Sequence, residues 1–196
     1  MRARCCHVLT CAQGRVGYPL PGVQVKIQPD DSTRPHTGEL LVRGPQVFRE
    51  YFNRPDATRE AFDGEGWFLT GDIVEQSLAD DATRGSYKIV GRKSVDIIKS
   101  GGYKLSALDI EDQLLTHPHI AECAVVGLAD PEFGQRVAAL VALRAGASLS
   151  SEQLQQWCKT TMPAYRMPRT VQFIEAIPRN AMGKVNKKEL VKLFAQ

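Results

Sequence analysis

Residues 91–112 read GRKSVDIIKSGGYKLSALDIED, and the pattern of the sequence changes where this stretch begins. Before it, short alternating apolar runs are separated by turn residues, which indicates a β-rich module. After it, helical segments with their own start signals alternate with strand-like runs, which indicates a small α+β domain. We therefore predict an α+β fold with a β-rich subdomain over residues 15–90 and a second, α+β domain over residues 91–196.

The individual elements follow from hydrophobic periodicity and from turn and capping residues. In the first domain the pattern predicts a short helix at 57–62 and strands at 23–27, 38–44 and 87–90. In the second domain it predicts strands at 120–128, 137–143 and 171–174, and helices at 108–115, 154–162 and 190–194. Each of these helices follows a capping-box pattern, complete in Ser150 with Gln153 and partial in Ser106 with Asp109 and in Asn186 with Glu189.

The composition is that of a soluble globular protein, with 43% hydrophobic and 24% charged residues. No apolar run approaches the roughly eighteen residues that a membrane-spanning helix needs, so no membrane span is expected. The five cysteines form no paired CxxC spacing, and neither they nor His117 and His119 have a second half at ligand spacing. We therefore expect neither a disulfide framework nor a metal site.

The net charge of +3 conceals a basic C-terminal segment. Residues 159–196 contain eight lysines and arginines against two glutamates, whereas the preceding residues contain 17 basic against 20 acidic side chains. A basic segment is compatible with a solvated face, with a phosphate-bearing ligand or with nucleic acid. No aromatic platform accompanies these charges, so nucleic-acid binding is not expected.

Residues 1–14, MRARCCHVLTCAQG, differ from the rest because they contain two arginines and three cysteines but no acidic residue. An arginine-rich, acid-poor start is typical of a mitochondrial transit peptide, although this one is short and poor in serine. Two interpretations stay open, a weak targeting segment and an unrelated leader, and we favour the leader.

Asp72 ends the aromatic run WFLTGD at residues 67–72, and its Thr-Gly-Asp sequence predicts a turn at the rim of the β-rich subdomain. A carboxylate there could accept hydrogen bonds from the two hydroxyl groups of a ribose, or it could cap the turn. Arg92 follows at the start of the second domain, where its guanidinium could bind the same ribose or a phosphate, or form a structural ion pair. Asp72 and Arg92 are therefore the nucleotide-binding candidates.

Gly101 and Gly102 are adjacent glycines between strand-like runs, in the segment KSGGYK at residues 99–104. Glycines weaken a strand, so they indicate either a tight turn or a turn whose backbone closely approaches a ligand. Lys99 and Tyr103 flank the two glycines. We take these four residues together as a candidate ligand-binding loop.

Lys184 lies in PRNAMGKVNKKEL at residues 178–190, after a glycine and before the last helix. A lysine on a mobile loop has the reach and the compact charge to neutralise a transient pentavalent phosphate. The alternative is one more solvent-facing lysine beside Lys187, Lys188 and Lys192. The choice depends on the frame PxxxxGKxxKxxL around Lys184.

The order and spacing of WFLTGD, GRKSVDIIKSGGYKLSALDIED and PRNAMGKVNKKEL resemble the adenylate-forming superfamily, which includes the acyl-CoA synthetases. The resemblance covers about residues 15–196. It implies that Asp72 contacts the ribose of ATP or AMP, that Arg92 binds the same nucleotide and that Lys184 is the adenylation lysine.

The same resemblance implies roles for the rest of residues 91–196, as the C-terminal lid domain of these enzymes. The loop of Lys99, Gly101, Gly102 and Tyr103 would line the pantetheine channel of CoA. The lid would rotate about a hinge at Ser94 or Val95. The choice between these two stays open, because the spacing from the arginine to the following Asp96 is one residue longer than in the common pattern.

Three segments resemble more narrowly the subgroup of these ligases that activates malonate: FREYFNRP at 48–55, SVDIIKSGGYK at 94–104 and PRNAMGK at 178–184. This implies an acid–CoA ligase that converts malonate, ATP and CoA to malonyl-CoA, AMP and pyrophosphate, with Mg²⁺ accompanying ATP. The expected partners are these small molecules, with a short dicarboxylic acid such as malonate as the acid. The implied location is mitochondrial, with the cytoplasm as the alternative.

The chain contains no Ser/Thr/Gly-rich phosphate loop of the kind STGTTGxPK and no YGxTE segment. We therefore expect it to be the C-terminal part of a ligase, inactive alone until an N-terminal domain positions the reactants. A second hypothesis is a non-catalytic module that binds CoA or a nucleotide, or that competes with the complete enzyme.

Overall fold

The computed structural model describes residues 14–81 and 83–194 and contains two compact units, one that ends at Val90 and one that begins at Gly91. The division lies where the sequence pattern changes. The predicted α+β class is confirmed, since strands dominate the first unit whereas strands and helices alternate in the second. The leader predicted at residues 1–14 lies outside the described residues except for Gly14.

The first unit is built on a sheet with the strand order β1-β2-β3-β4, in which β1 pairs antiparallel with β2 and β2 with β3. A short helix precedes β3 because Pro55 at its first position and Asp56 in its first turn suit a helix N-terminus. The elements are β1 (Gln24–Pro29), β2 (Thr37–Arg43), α1 (Pro55–Ala61), β3 (Phe68–Gln76) and β4 (Tyr87–Arg92).

The second unit is built on a five-stranded sheet with the order β6-β5-β8-β7, in which β9 also pairs with β8, in parallel. Its strands are β5 (Ile97–Ser100), β6 (Tyr103–Ser106), β7 (Ile120–Asp130), β8 (Gly134–Leu143) and β9 (Thr170–Phe173). Its helices are α2 (Ala107–Leu115), α3 (Ser151–Thr161) and α4 (Lys187–Leu193), with a single 3₁₀ turn at Ala164–Arg166.

Both faces of this second sheet are covered, which explains the nearly continuous apolar run of β8. Ile110 and Leu114 of α2 and Leu154 of α3 pack against one face. Leu190 of α4 packs against the other face, with Leu140 of β8. The last helix is therefore fixed to the sheet by a fully buried side chain. Among the described residues, no helix is long and apolar enough to cross a membrane.

The three predicted helix starts differ in their capping. The Ser150 hydroxyl accepts the Gln153 N–H at 3.2 Å and the Gln153 side chain accepts the Ser150 N–H at 2.8 Å, so this capping box is confirmed. Ser106 caps α2 through the Asp109 N–H at 3.1 Å. The capping predicted at Asn186 is wrong, because the Glu189 N–H bonds to the Asn186 backbone oxygen and no bond reaches its side chain.

Candidate active site

Asp72 lies inside strand β3 and not at the turn that the sequence predicted. Three residues, Thr70–Asp72, face the single residue Leu40 of β2, so the strand bulges at this point. The Thr70 hydroxyl stabilises the bulge, since it donates to the Leu40 carbonyl at 2.7 Å and accepts the Asp72 N–H at 3.1 Å. Gly71 permits the bulge through its φ of +73°. A bulge redirects side chains locally, and here it determines the direction of the half-buried Asp72.

Arg92 ends β4 and begins a closed turn that contains both hinge candidates. The N–H groups of Val95 and Asp96 donate to the Arg92 carbonyl at 3.2 and 2.8 Å, and the Arg92 N–H donates to Asp96 Oδ2 at 2.9 Å. The Arg92 and Ser94 side chains are exposed, whereas that of Val95 is half-buried. Which of Ser94 and Val95 serves as the hinge stays a prediction.

The glycine pair forms the tight turn of the hairpin between β5 and β6. Gly101 and Gly102 have φ angles of +55° and +83°, as a two-residue type I′ turn requires. The Gly101 N–H donates to the Phe133 carbonyl at 3.0 Å, which ties this hairpin to the loop before β8. The turn is confirmed, and its contact with a ligand stays a prediction.

Tyr103 follows this turn and stacks on Tyr165, a residue that sequence reasoning missed. The ring centroids lie 4.6 Å apart and the ring planes 9° apart, while the two residues are 54% and 44% exposed.

Arg169 lies against Phe133, with its guanidinium 4.1 Å from the ring centroid of Phe133. A shallow cavity beside the glycine turn is lined by Ser100, Gly101, Tyr103, Phe133, Val137, Tyr165, Met167 and Arg169. Two sequence signals point to this surface, namely the glycine loop with Gly101 and Tyr103 and the basic C-terminal segment, which includes Arg169.

Lys184 lies on a hydrogen-bonded turn, whereas the sequence predicted a mobile loop. The Asn180 side chain accounts for the difference, because its Oδ1 accepts the N–H groups of Met182 at 3.0 Å and of Lys184 at 2.9 Å. The Asn180 N–H also donates to the Lys184 carbonyl at 2.9 Å, and Gly183 supplies a φ of +75°. Lys184 is exposed, so its ammonium is available to a ligand.

Lys187 is not the solvent-facing lysine that the sequence predicted. Its Nζ lies 2.6 Å from Asp96 Oδ1 and 2.8 Å from Glu111 Oε1, and the three side chains are 11%, 10% and 14% exposed. Both contacts are ion pairs. Glu111 Oε1 also accepts the Val125 N–H at 2.7 Å.

The electrostatics of this cluster follow from its burial. Burial raises the pKa of Glu111, and the Lys187 charge and the bond from Val125 act in the opposite direction. Burial likewise raises the pKa of Cys123 to about 12 and that of Cys158 to about 11, so both thiols stay protonated near neutral pH. Neither of these cysteines is suited to act as a nucleophile.

The candidate residues are divided between the units. Asp72 belongs to the first unit, while Arg92, the glycine turn and Lys184 belong to the second. The meeting of Asp72, Arg92 and Lys184 at one nucleotide stays a prediction. Over residues 14–81 and 83–194, no group of three or more His, Cys, Asp or Glu side chains is arranged to hold a metal ion.

Comparison with known proteins identifies the fold and the family. Residues 109–184 match the family described as the AMP-binding enzyme C-terminal domain. The chain is 46% identical to the mitochondrial malonate–CoA ligase ACSF3 of Homo sapiens over 92% of its own length and 34% of the relative, and 44% identical to a malonate–CoA ligase of Arabidopsis thaliana over 91% and 30%.

The solved structure of ATP-bound MatB from Rhodopseudomonas palustris is similar to the chain, with a TM-score of 0.82 and 31% identity. The match covers 92% of this chain and 36% of MatB. The chain thus spans about a third of the length of the proteins it matches. We conclude that the chain belongs to the adenylate-forming, or acyl-CoA synthetase, superfamily and corresponds to the C-terminal portion of its members.

Proposed function

We propose that this chain is the C-terminal portion of an acid–CoA ligase that makes malonyl-CoA. In the first step a malonate oxygen attacks the α-phosphorus of ATP, and the bond to pyrophosphate breaks. In the second step the CoA sulfur attacks the acyl carbon, its proton is lost, and AMP leaves. The observation that carries the proposal is the exposed Lys184 on its hydrogen-bonded turn, in a chain 46% identical to a malonate–CoA ligase.

Lys184, Asp72 and Arg92 receive distinct roles in the first step. The Lys184 ammonium would neutralise charge on the α-phosphate as it becomes pentavalent, where a compact cation is most effective. The Asp72 carboxylate would accept the two hydroxyl groups of the ribose. The exposed Arg92 guanidinium would bind the same ribose or a phosphate oxygen.

The glycine hairpin and its neighbours are the part of the chain suited to CoA. Gly102 leaves the backbone open for a thin pantetheine arm, because nothing lies within 4 Å of a Cβ built there, whereas a Cβ built at Gly101 would lie 3.3 Å from the Phe133 ring. The exposed, stacked rings of Tyr103 and Tyr165 could receive an adenine base. Lys99 is exposed in β5, where it pairs with Lys104, and could pair with a phosphate.

We assign no magnesium ligand to this chain, because the described residues offer no suitable cluster of acidic groups. The metal would arrive with ATP, and a separate N-terminal domain would hold it together with the acid. We also propose a mitochondrial location, which is supported by the mitochondrial ligase of Homo sapiens that the chain resembles.

The proposal is tested by mixing the purified chain with a separately produced N-terminal portion of a malonate–CoA ligase. The expected result is ATP–pyrophosphate exchange that depends on malonate and that neither component gives alone. Acetate in place of malonate is the matched control for the substrate. A mixture of two folded components without malonate-dependent exchange would count against the proposal.

A further inference from the structure

We propose that Lys187 is a positioning residue, which connects the turn after Arg92 to the turn that carries Lys184. The inference rests on the proposed function only for the roles of Arg92 and Lys184. The contacts of Lys187 are independent of that function, and all of them lie within the second unit.

Lys187 belongs to a cluster of charges that is enclosed by the protein. One ammonium faces two carboxylates, Asp96 and Glu111, and all three side chains are at least 86% shielded from solvent, as their exposures of 11%, 10% and 14% show. Removal of one member of a buried ion pair leaves an uncompensated charge, which is strongly unfavourable. Lys187 therefore keeps these two carboxylates together.

Asp96 connects Lys187 to the backbone of Arg92. Both oxygens of Asp96 are used, since Oδ1 lies on Lys187 and Oδ2 accepts the Arg92 N–H. The Asp96 carbonyl also accepts the N–H of Ala107, the first residue of α2, at 2.8 Å. Lys187 thus holds the carboxylate that closes the turn containing Ser94.

A short segment of chain connects Lys187 to the turn that carries Lys184. Lys187 is the first residue of α4, and Val185 pairs with Arg179 at the base of the Lys184 turn. On the other side of that turn Arg179 pairs with Glu122 of β7 at 3.0 Å, but these side chains are 49% and 44% exposed. An exposed ion pair holds geometry only weakly, so the buried contact of Lys187 is the stronger support.

Amide hydrogen exchange of the 196-residue chain, followed by NMR, tests this inference. In Lys187→Met we expect the Arg92 and Lys184 amides to exchange at least about tenfold faster than in the unmodified chain. Lys188→Met is the matched control, because Lys188 is the next residue and is exposed. It should leave both rates within about twofold.

A second variant separates positioning from general stability. Lys187→Met combined with Glu111→Met removes one carboxylate together with the ammonium, so the cluster keeps its original net charge of −1, on Asp96. Apolar replacement of a buried ion pair often preserves stability. We expect the Leu154 amide in α3 to keep its protection in this variant while the Arg92 and Lys184 amides remain fast. If both amides are as protected as in the unmodified chain, or if Lys188→Met accelerates them equally, the inference is wrong.

The pH dependence of amide exchange in Lys187→Met distinguishes loss of the lysine charge from loss of its packing. A variant that only left a cavity would not show this dependence. Glu111 faces Lys187 of α4, Asp96 of the turn and the neutral Cys123 thiol of β7, with Asp112 beside it on α2. In Lys187→Met, protonation of Glu111 would relieve its repulsion of Asp96. The excess exchange, corrected for the intrinsic rate, should therefore decrease as pH falls from neutral through the raised pKa of Glu111. A pH-independent excess would contradict the inference.

These measurements need no substrate, so they stand apart from the proposed function. If Lys184→Ala left ATP–pyrophosphate exchange intact, the proposed role of Lys184 would fail while the exchange pattern of the Lys187 variants would persist. Conversely, wild-type protection in those variants would refute the positioning role and leave the ligase proposal in place.

Discussion

Replacement of Gly91 by alanine should selectively destabilise the second unit. A Cβ built at this position would lie 2.5 Å from Asp96 Cβ, well inside normal contact distance. Gly91 also has a φ of +144°, a conformation that L-residues rarely adopt. The new methyl group would therefore displace the carboxylate that closes the Arg92 turn and binds Lys187.

The magnitude follows from two separate costs. Backbone strain at this φ contributes about 1–3 kcal/mol. Displacement of Asp96 from the Arg92 N–H weakens a charge-assisted hydrogen bond, which contributes about 1.5–3 kcal/mol more. The sum of about 2.5–6 kcal/mol is a large part of the roughly 5–15 kcal/mol that stabilises a typical domain.

Gly146→Ala is the matched control, because Gly146 has a φ of +76° but nothing within 4 Å of a built Cβ. It should lose only about 1–2 kcal/mol of backbone energy. Urea unfolding with tryptophan fluorescence measures both variants in a Trp67→Phe background, where Trp157 of α3 reports on the second unit alone. Equal destabilisation by the two alanines would refute the contact with Asp96.

Three further predictions concern other parts of the second unit. Tyr165→Ala should weaken CoA binding about tenfold in calorimetry, since base–aromatic stacking contributes about 1–3 kcal/mol, while Tyr165→Phe keeps the ring and should bind normally. Ser150→Ala should lower the free energy of unfolding by about 1 kcal/mol, and Asn186→Ala by much less, because of these two residues only Ser150 forms a side-chain capping bond. The N–H groups of Phe133 and Glu132 lower the pKa of Asp130, so its contribution to stability exists above the ordinary value of 3.8 and disappears as pH falls through the lowered pKa. Asp130→Asn should thus be less stable than the unmodified chain near pH 7, and the difference should shrink as pH falls below 3.8 in urea titrations.

Each of these predictions has an outcome that would contradict it. CoA binding by Tyr165→Ala as tight as by Tyr165→Phe would exclude the ring as a CoA contact. Similar decreases in the free energy of unfolding for Ser150→Ala and Asn186→Ala would mean that the capping box does not stabilise α3. A constant difference between Asp130→Asn and the unmodified chain from pH 7 to pH 2 would show that the Asp130 charge is not responsible.

Sequence patterns predicted the elements of the fold where the signal is local. Alternation and length identified β7 and β8, and Ser150 with Gln153 marked the start of α3. The two glycines between β5 and β6 indicated a turn because few other residues tolerate two successive positive φ angles. In each case the determining residues are neighbours in sequence.

Two failures have a common physical origin in contacts between distant segments. The bulge at Asp72 depends on the pairing of β3 with Leu40, which the Thr-Gly-Asp sequence does not specify. The burial of Lys187 depends on the docking of α4 beside Asp96 and Glu111.

The missed stacking partner Tyr165 is of the same kind, whereas the capping prediction at Asn186 failed because of a local contact within α4. The Glu189 side chain pairs with Lys192 at 2.7 Å and therefore does not reach back to cap the start of α4. The stacking of Tyr165 on Tyr103 depends on the packing of the 3₁₀ turn beside the β5–β6 hairpin.

Lys184 is the residue on which the ligase proposal depends most, and one comparison tests it directly. Malonate-dependent ATP–pyrophosphate exchange is measured for the chain mixed with an N-terminal ligase portion, once with Lys184→Ala and once with Lys188→Ala. We predict that Lys184→Ala lowers the exchange rate at saturating ATP about 100-fold or more, because a preorganised charge at the phosphate is lost, and that Lys188→Ala leaves it within about twofold. Equal rates for the two variants would contradict the assignment of Lys184 to adenylation.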